Sequence, residues 1–195
     1  MVSVTDFGLL STLNYASAEL QVEFMKQEAF KFFVQDKKVA DFVEINVMRA
    51  SNHLMIMSSI ITSNHQHIEQ LNEEFLKKLK DRFFALEARE QEALKQRLLL
   101  RLEAFYSSVK DFAEADASDF FLSNLQVQGL NLQVISLLHS GADFDTLMPI
   151  IRDKFYENKR RILVEFTNDR SGTTSISEKD TYLGLKPHIQ RVEVV

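Results

Sequence analysis

Apolar residues along most of this chain recur at steps of three and four. From Val39 to Ile61 they fall at Val43, Val47, Ala50, Leu54, Met57 and Ile61, the spacing of one helical face. Ile45, Met48, Met55, Ile56 and Ile60 widen that stripe almost to the full circumference, and a helix apolar on most sides is normally enclosed by others. Residues 39–62 are therefore expected to form the central helix of an all-α fold. Upstream, Phe24, Phe30, Phe32, Phe33 and Phe42 stand among Lys and Glu residues, which predicts amphipathic helices over about 4–16 and 18–35, with Asp36 as the cap after a break near Gln35–Lys38. Downstream, Leu71, Phe75, Leu79, Phe83 and Leu86 continue the helical spacing, and Glu73–Lys77 and Glu74–Lys78 are favourably ordered i,i+4 pairs. The polar run from Glu87 to Glu92 then marks a kink or a turn before Leu94, Leu98, Leu102 and Phe105.

The breakers agree with this pattern. Glycine occurs only at 8, 129, 141, 172 and 184, and proline only at 149 and 187, so residues 9–128 hold neither. Antiparallel strands reverse often and usually place Gly, Pro or Asn-Gly at the reversals. Asp116 and Ser118 are candidate caps for a helix over about 119–139, closed by Gly141; Asp143 or Asp145 caps a last helix with Pro149 near its first turn and Leu147, Ile151, Phe155, Ile162 and Phe166 inside. The expected architecture is a bundle of five to seven helices over residues 1–166, a polar linker at 167–181, and an extended C-terminal arm at 182–195. RILVEF at 161–166 and HIQRVEVV at 188–195 offer that arm an alternative, folding back as a small ribbon.

Composition narrows the function classes. The 195 residues are 45% hydrophobic and 26% charged with a net charge of -5, which fits a globular domain and makes nucleic acid a poor partner. Cysteine is absent, which removes disulfides, thiolate nucleophiles and Cys metal sites and fits a cytoplasmic location. No apolar run is long enough to span a membrane, and the opening MVSVTDFGLL does not read as a secretory leader.

Enzyme constellations are mostly missing. Glu-x-x-His pairs, glycine-rich phosphate loops and GxSxG are all absent, so an enzyme is the least supported reading, no cofactor is expected and no catalytic residue is named. His65 and Glu69, one helical turn apart, are the nearest approach to a metal pair. Met48, His53, Met55 and Met57, with nearby Phe residues, could line a pocket for an apolar ligand such as haem, bilin or lipid. Lys154, Lys159, Arg160 and Arg161 fit the last turns of a helix, where the macrodipole favours cations.

Ile61-Thr62-Ser63-Asn64 resembles the ITSN run of phycobiliprotein β subunits, and Phe112-Ala113 followed by Asp116-Ala117-Ser118 resembles their FAGDAS segment. That resemblance implies a globin-like helical fold, although the bilin-bearing Cys and the Gly-rich loop have no counterpart here. The leading expectation is a non-enzymatic interaction or assembly module. It would bind a protein partner, or a second copy of itself, through helix faces and the arm residues Tyr182, Leu183, Leu185, Ile189, Val192, Val194 and Val195. The second expectation is a helical sensor or carrier holding an apolar ligand without covalent attachment.

Overall fold

Two of the segments expected to be helical are strands. The computed structural model describes residues 1–50, 52–62, 68–104, 129–157 and 160–164. Strand β1 runs Val2–Leu9, β2 Phe42–Ala50, β3 His53–Ile61 and β4 Arg160–Val164. They form one antiparallel sheet in the order β2-β3-β1-β4. This corrects the all-α expectation and, with it, the central helix at 39–62 and the helix near 4–16.

Local sequence explains the correction. Val43, Ile45 and Val47 alternate with Glu44, Asn46 and Met48, which is the period-two pattern of a half-buried strand in β-branched residues. Ala50 pairs with His53, so two residues suffice to reverse the chain, and a two-residue hairpin needs neither Gly nor Pro when a residue such as Asn52 can take the turn. In β1 the register slips by one residue between Asp6 and Gly8. Gly8 sits there at φ +91°, a backbone state that costs other residues energy. The Gly8 N–H donates to Asp6 Oδ1 at 2.9 Å, closing the bulge.

The helical elements are α1 Thr12–Ala29, α2 Ile68–Phe84, α3 Ala88–Ala104, α4 Leu130–His139 and α5 Phe144–Ile151. A π-helical segment, Phe30–Asp36, continues α1, and another, Arg152–Glu157, continues α5. Between 69 and 103 the sequence reading holds closely. The interruption lies at 85–87, and α3 starts with a box in which the Glu90 carboxylate accepts the Glu87 N–H at 3.0 Å. Gly141 takes φ +102° just past α4, and Asp143 caps α5 by accepting the Thr146 N–H at 3.0 Å. Pro149 lies inside α5. Ile162, placed on the last helix by spacing alone, lies on β4 and is exposed.

The enclosed helix is α1, not 39–62. Tyr15, Ala16, Ala18, Leu20, Val22, Phe24 and Met25 are buried around its whole circumference, as are Ser17, Glu19 and Gln21. It lies between the sheet and the helices α2 to α5. Its polar residues hid this position in the sequence, but the carboxylates of Glu19 and Glu23 share a partner. Arg101 of α3 donates to Glu19 at 2.6 Å and to Glu23 at 3.0 Å. Gln21 donates to the Tyr156 hydroxyl at 2.8 Å, and burial pushes that hydroxyl's pKa well above its ordinary value. Aromatic rings fill the helical layer: Phe83 meets Phe24, Phe84, Phe144 and Tyr156, and Phe75 meets Phe32 and Phe33.

Several expectations fall outside the described residues: the caps Asp116 and Ser118, the helix portion at 119–128, Phe166, the linker at 167–181 and the arm at 182–195. Among the described residues, no helix is long and apolar enough to cross a membrane.

Candidate functional site

Burial alternates along the strands and separates the two faces of the sheet. Ser3, Thr5, Phe7, Ile45, Leu54, Ile56 and Ile60 are buried on the helix side, where Val43 and Val47 also meet the core. The opposite face carries Phe42, Glu44, Asn46 and Met48 from β2; Met55, Met57, Ser59 and Ile61 from β3; Val2, Val4 and Asp6 from β1; and Ile162 from β4. Phe42 is 50% exposed, Met48 39%, Ile61 59% and Ile162 50%, so this face is apolar and open to solvent at several points. Register places Met48 beside Met55 and Met57 beside both Asn46 and Val4.

The outer edge of β2 is the second notable surface. Among the described strands β2 pairs only with β3, leaving one side of its nine-residue backbone without a ladder partner. Proteins usually guard such an edge with charged side chains, Lys above all, with Pro, a bulge or a covering segment; the one charge on the open face of β2 is Glu44, whose carboxylate accepts from the Asn46 amide at 2.8 Å. Here β2 has no Pro and no Lys, its pairing with β3 is regular from Phe42 to Ala50, and its open-face side chains include exposed Phe42 and Met48. At its entrance the Asp41 N–H donates to the Ile61 carbonyl at 2.9 Å, and the Thr62 hydroxyl donates to the Val39 carbonyl. Lys37 is turned away toward Glu74 at 3.1 Å and lies over the Phe32 ring. Arg49 lies over the Tyr15 ring on the helix side.

Sequence reasoning singled out some of these residues for another reason. Met48, Met55, Met57 and His53 come together, but on the open face of a hairpin and not between helices. That placement removes the helical carrier and the globin-like reading: Ile61, which opens the ITSN run, is the last residue of a strand, and 112–118 lie outside the described residues. His53 Nδ1 lies 3.7 Å from Asp6 Oδ1, at the bulged end of β1. Of the metal pair, His65 lies outside the described residues and Glu69 is placed only as part of α2. The arm residues Tyr182, Leu183, Leu185, Ile189, Val192, Val194 and Val195 lie outside as well. What the sequence reading missed is strand β2 and its place at an edge; the alternation from Val43 to Met48 was the signal for the strand alone.

Elsewhere a shallow cleft of about 140 Å³ opens between the starts of α3 and α5, lined by Ala88, Gln91, Glu92, Lys95, Asp143, Phe144 and Asp145. It falls well below the ~300 Å³ of a small-molecule site. Its Asp143 carboxyl is held below the ordinary carboxylate range by the hydroxyl and backbone N–H of Thr146, the bonds that cap α5.

No protein-family model and no curated protein matches the chain. Solved structures do. A protein described as a zinc protease from Bordetella pertussis Tohama I superposes with a TM-score of 0.58 at 11% identity, over 82% of this chain and 91% of that one. Another, described as an M16-like peptidase from Alicyclobacillus acidocaldarius, gives 0.57 at 10% identity, over 82% of this chain and 39% of the other. The ferredoxin protease FusC, in complex with Arabidopsis ferredoxin, gives 0.50 at 11% identity and 82% coverage of this chain, which spans 18% of that protein. The chain thus spans most of one neighbour and less than half of the other two. These likenesses overturn the reading as a purely helical interaction module, because the shared unit is a mixed sheet-and-helix domain.

A zinc site would need a fitting donor set. The two-histidine protease motifs HExxH and HxxEH occur nowhere in this sequence. Among the described residues no three His, Asp or Glu side chains are gathered where they could hold an ion. Among the described residues, then, no donor set fits the group. What is shared is the architecture: the chain has the fold of M16-like peptidase domains.

Proposed function

We propose that this domain holds an extended polypeptide, taken up as an added strand along the edge of β2 that no described strand pairs with. The observation that carries the reading is that edge: nine residues of regular backbone, unguarded by Lys, Pro or a bulge, ending beside exposed Phe42 and Met48. An extended segment satisfies its own N–H and C=O groups by pairing there, and its alternate side chains lie against the apolar open face. Backbone pairing confers affinity with little sequence demand, which suits a domain that handles varied polypeptides. The peptidase fold of the neighbours and the protein bound to one of them support the same reading. The reading needs no zinc centre, and among the described residues no donor set for one is gathered.

The test uses fluorescein-labelled β-casein, a polypeptide largely unfolded in water, titrated with the full chain. Binding is expected, together with slowed amide exchange at 42–50 in the complex and unchanged exchange in α3. The double variant F42K/M48K places two lysine guards on exposed positions of the edge and is expected to weaken binding at least tenfold while leaving the circular dichroism spectrum intact. Unaltered exchange at 42–50 on binding, or full affinity in the double variant, would refute the proposal.

A further inference from the structure

We infer that two copies of this chain associate through the open faces of their sheets. The inference goes beyond polypeptide capture: both use the open face near Met48, but Ile162, on the strand farthest from β2, belongs to the pairing of copies alone, so its variant keeps the two tests distinguishable.

Size comes first. Strands of nine, nine, eight and five residues, at ~3.3 Å per residue and ~4.8 Å between strands, cover a projected area of about 500 Å². Two such faces in full contact would bury about 1,000 Å², the least a specific interface should clear. Four large apolar side chains of the face, Phe42, Met48, Ile61 and Ile162, stand exposed on it, more than scattered single residues would account for.

Composition favours an identical partner. The centre of the face is Met57, between Val4 and Asn46 across the sheet and between Met55 and Ser59 along β3, with Met48, Phe42, Ile61 and Ile162 farther out. Half of the six methionines of the chain lie here, and Met is the side chain that adapts best to a facing surface of irregular shape. Two acidic residues stand diagonal to Met57: Glu44 on the edge strand, and Asp6, in register with Arg160 of β4 and with its carboxylate turned to the Gly8 N–H. A face without strong charge of one sign can pack on itself without repulsion.

Geometry then fixes the match. Two twisted sheets pack face to face with strands nearly aligned. With a two-fold axis along the strands, the order β2-β3-β1-β4 is reversed in the second copy, so β3 lies over β1 and Met57 of one copy meets Val4 of the other. The same operation brings Ile162 over Asn46. Every contact occurs twice, as an isologous dimer requires.

The experiment is sedimentation equilibrium of the full chain from about 1 to 100 μM. The expected species has twice the 22.6 kDa chain mass. Met57→Glu, at the centre, and Ile162→Glu, an exposed position on the strand farthest from β2, are each expected to yield a monomer, with at least a tenfold rise in dissociation constant. Leu100→Glu, 65% exposed on α3, should remain dimeric. Thermal melting of each variant separates lost association from lost folding, and Ile162→Glu carries the test if Met57→Glu does not fold. A wild-type chain that stays monomeric at 100 μM, or a dimer that survives Ile162→Glu, overturns the inference.

Discussion

Glu90 shows how one side chain fixes the joint between two helices. Its carboxylate takes two bonds from the Arg82 guanidinium at the end of α2 and a third from the Glu87 N–H at the start of α3. These interactions, with Arg82 the larger, hold its pKa down to about 2 from an ordinary 4.5. A group whose pKa is depressed by folding contributes stability that is fully present above the unfolded value and is lost as pH falls toward the folded one. The contribution therefore disappears between about pH 4.5 and 2. Replacing Glu90 with Gln should lower the melting temperature at pH 7 and flatten its fall across that window, so that the two proteins converge near pH 2. Parallel curves from pH 7 to 2 would show that the carboxylate does not set the joint.

At the level of elements, α1 and α3 are clamped by Arg101, whose guanidinium reaches both Glu19 and Glu23. Burial works against the Arg101 charge, but the two carboxylates outweigh it and hold its pKa above the ordinary value. Removing the cation leaves two carboxylates, one of them almost wholly buried, without their counter-charge. Arg101→Met is expected to cost ~3 kcal/mol, at the low end for a broken buried pair because the guanidinium retains some exposure. Urea unfolding would measure it, and Glu19→Gln in the same background should recover part of the loss. A loss below ~1 kcal/mol would place this cluster among ordinary surface pairs.

The same elements show which parts of the fold were legible. In α2 and α3, long solvated faces leave a clean apolar stripe, and Leu94, Leu98 and Leu102 are buried as their spacing implied. The caps at Asp143 and Gly141 were readable because they depend on one residue and its neighbours. In β2 and β3, steps of three and four coexist with steps of two, and a helical stripe could be drawn through residues that in fact alternate across a sheet. The β-branched run at 43–47 should have decided against it. In α1, Glu19, Gln21 and Glu23 argued for a solvent face because their partners, Arg101 and Tyr156, lie 78 to 135 residues away along the chain. The edge of β2 was invisible for the same reason: which strand is last in a sheet depends on all the others.

At the scale of the whole molecule, α1 makes the sheet and the helical layer into one cooperative body. It contacts β2 and β3 on one side and α3, α4 and α5 on the other. Its Leu20 is almost wholly buried, and Phe24, Met25 and Ala29 toward its C-terminal end are buried as well. Neither layer can open without exposing this helix. Heating or denaturant should therefore melt sheet and helices together, a coincidence that marks two-state unfolding. Leu20→Ala should lower the stability of both layers equally, by ~3 kcal/mol, through the lost transfer free energy and the cavity left behind. Far-ultraviolet circular dichroism reads the helical layer, and amide exchange in β1 and β3 reads the sheet. In the variant the two should shift by the same amount. If the helices lost stability while the sheet amides kept their protection, the layers would be separate units and α1 would belong to only one of them.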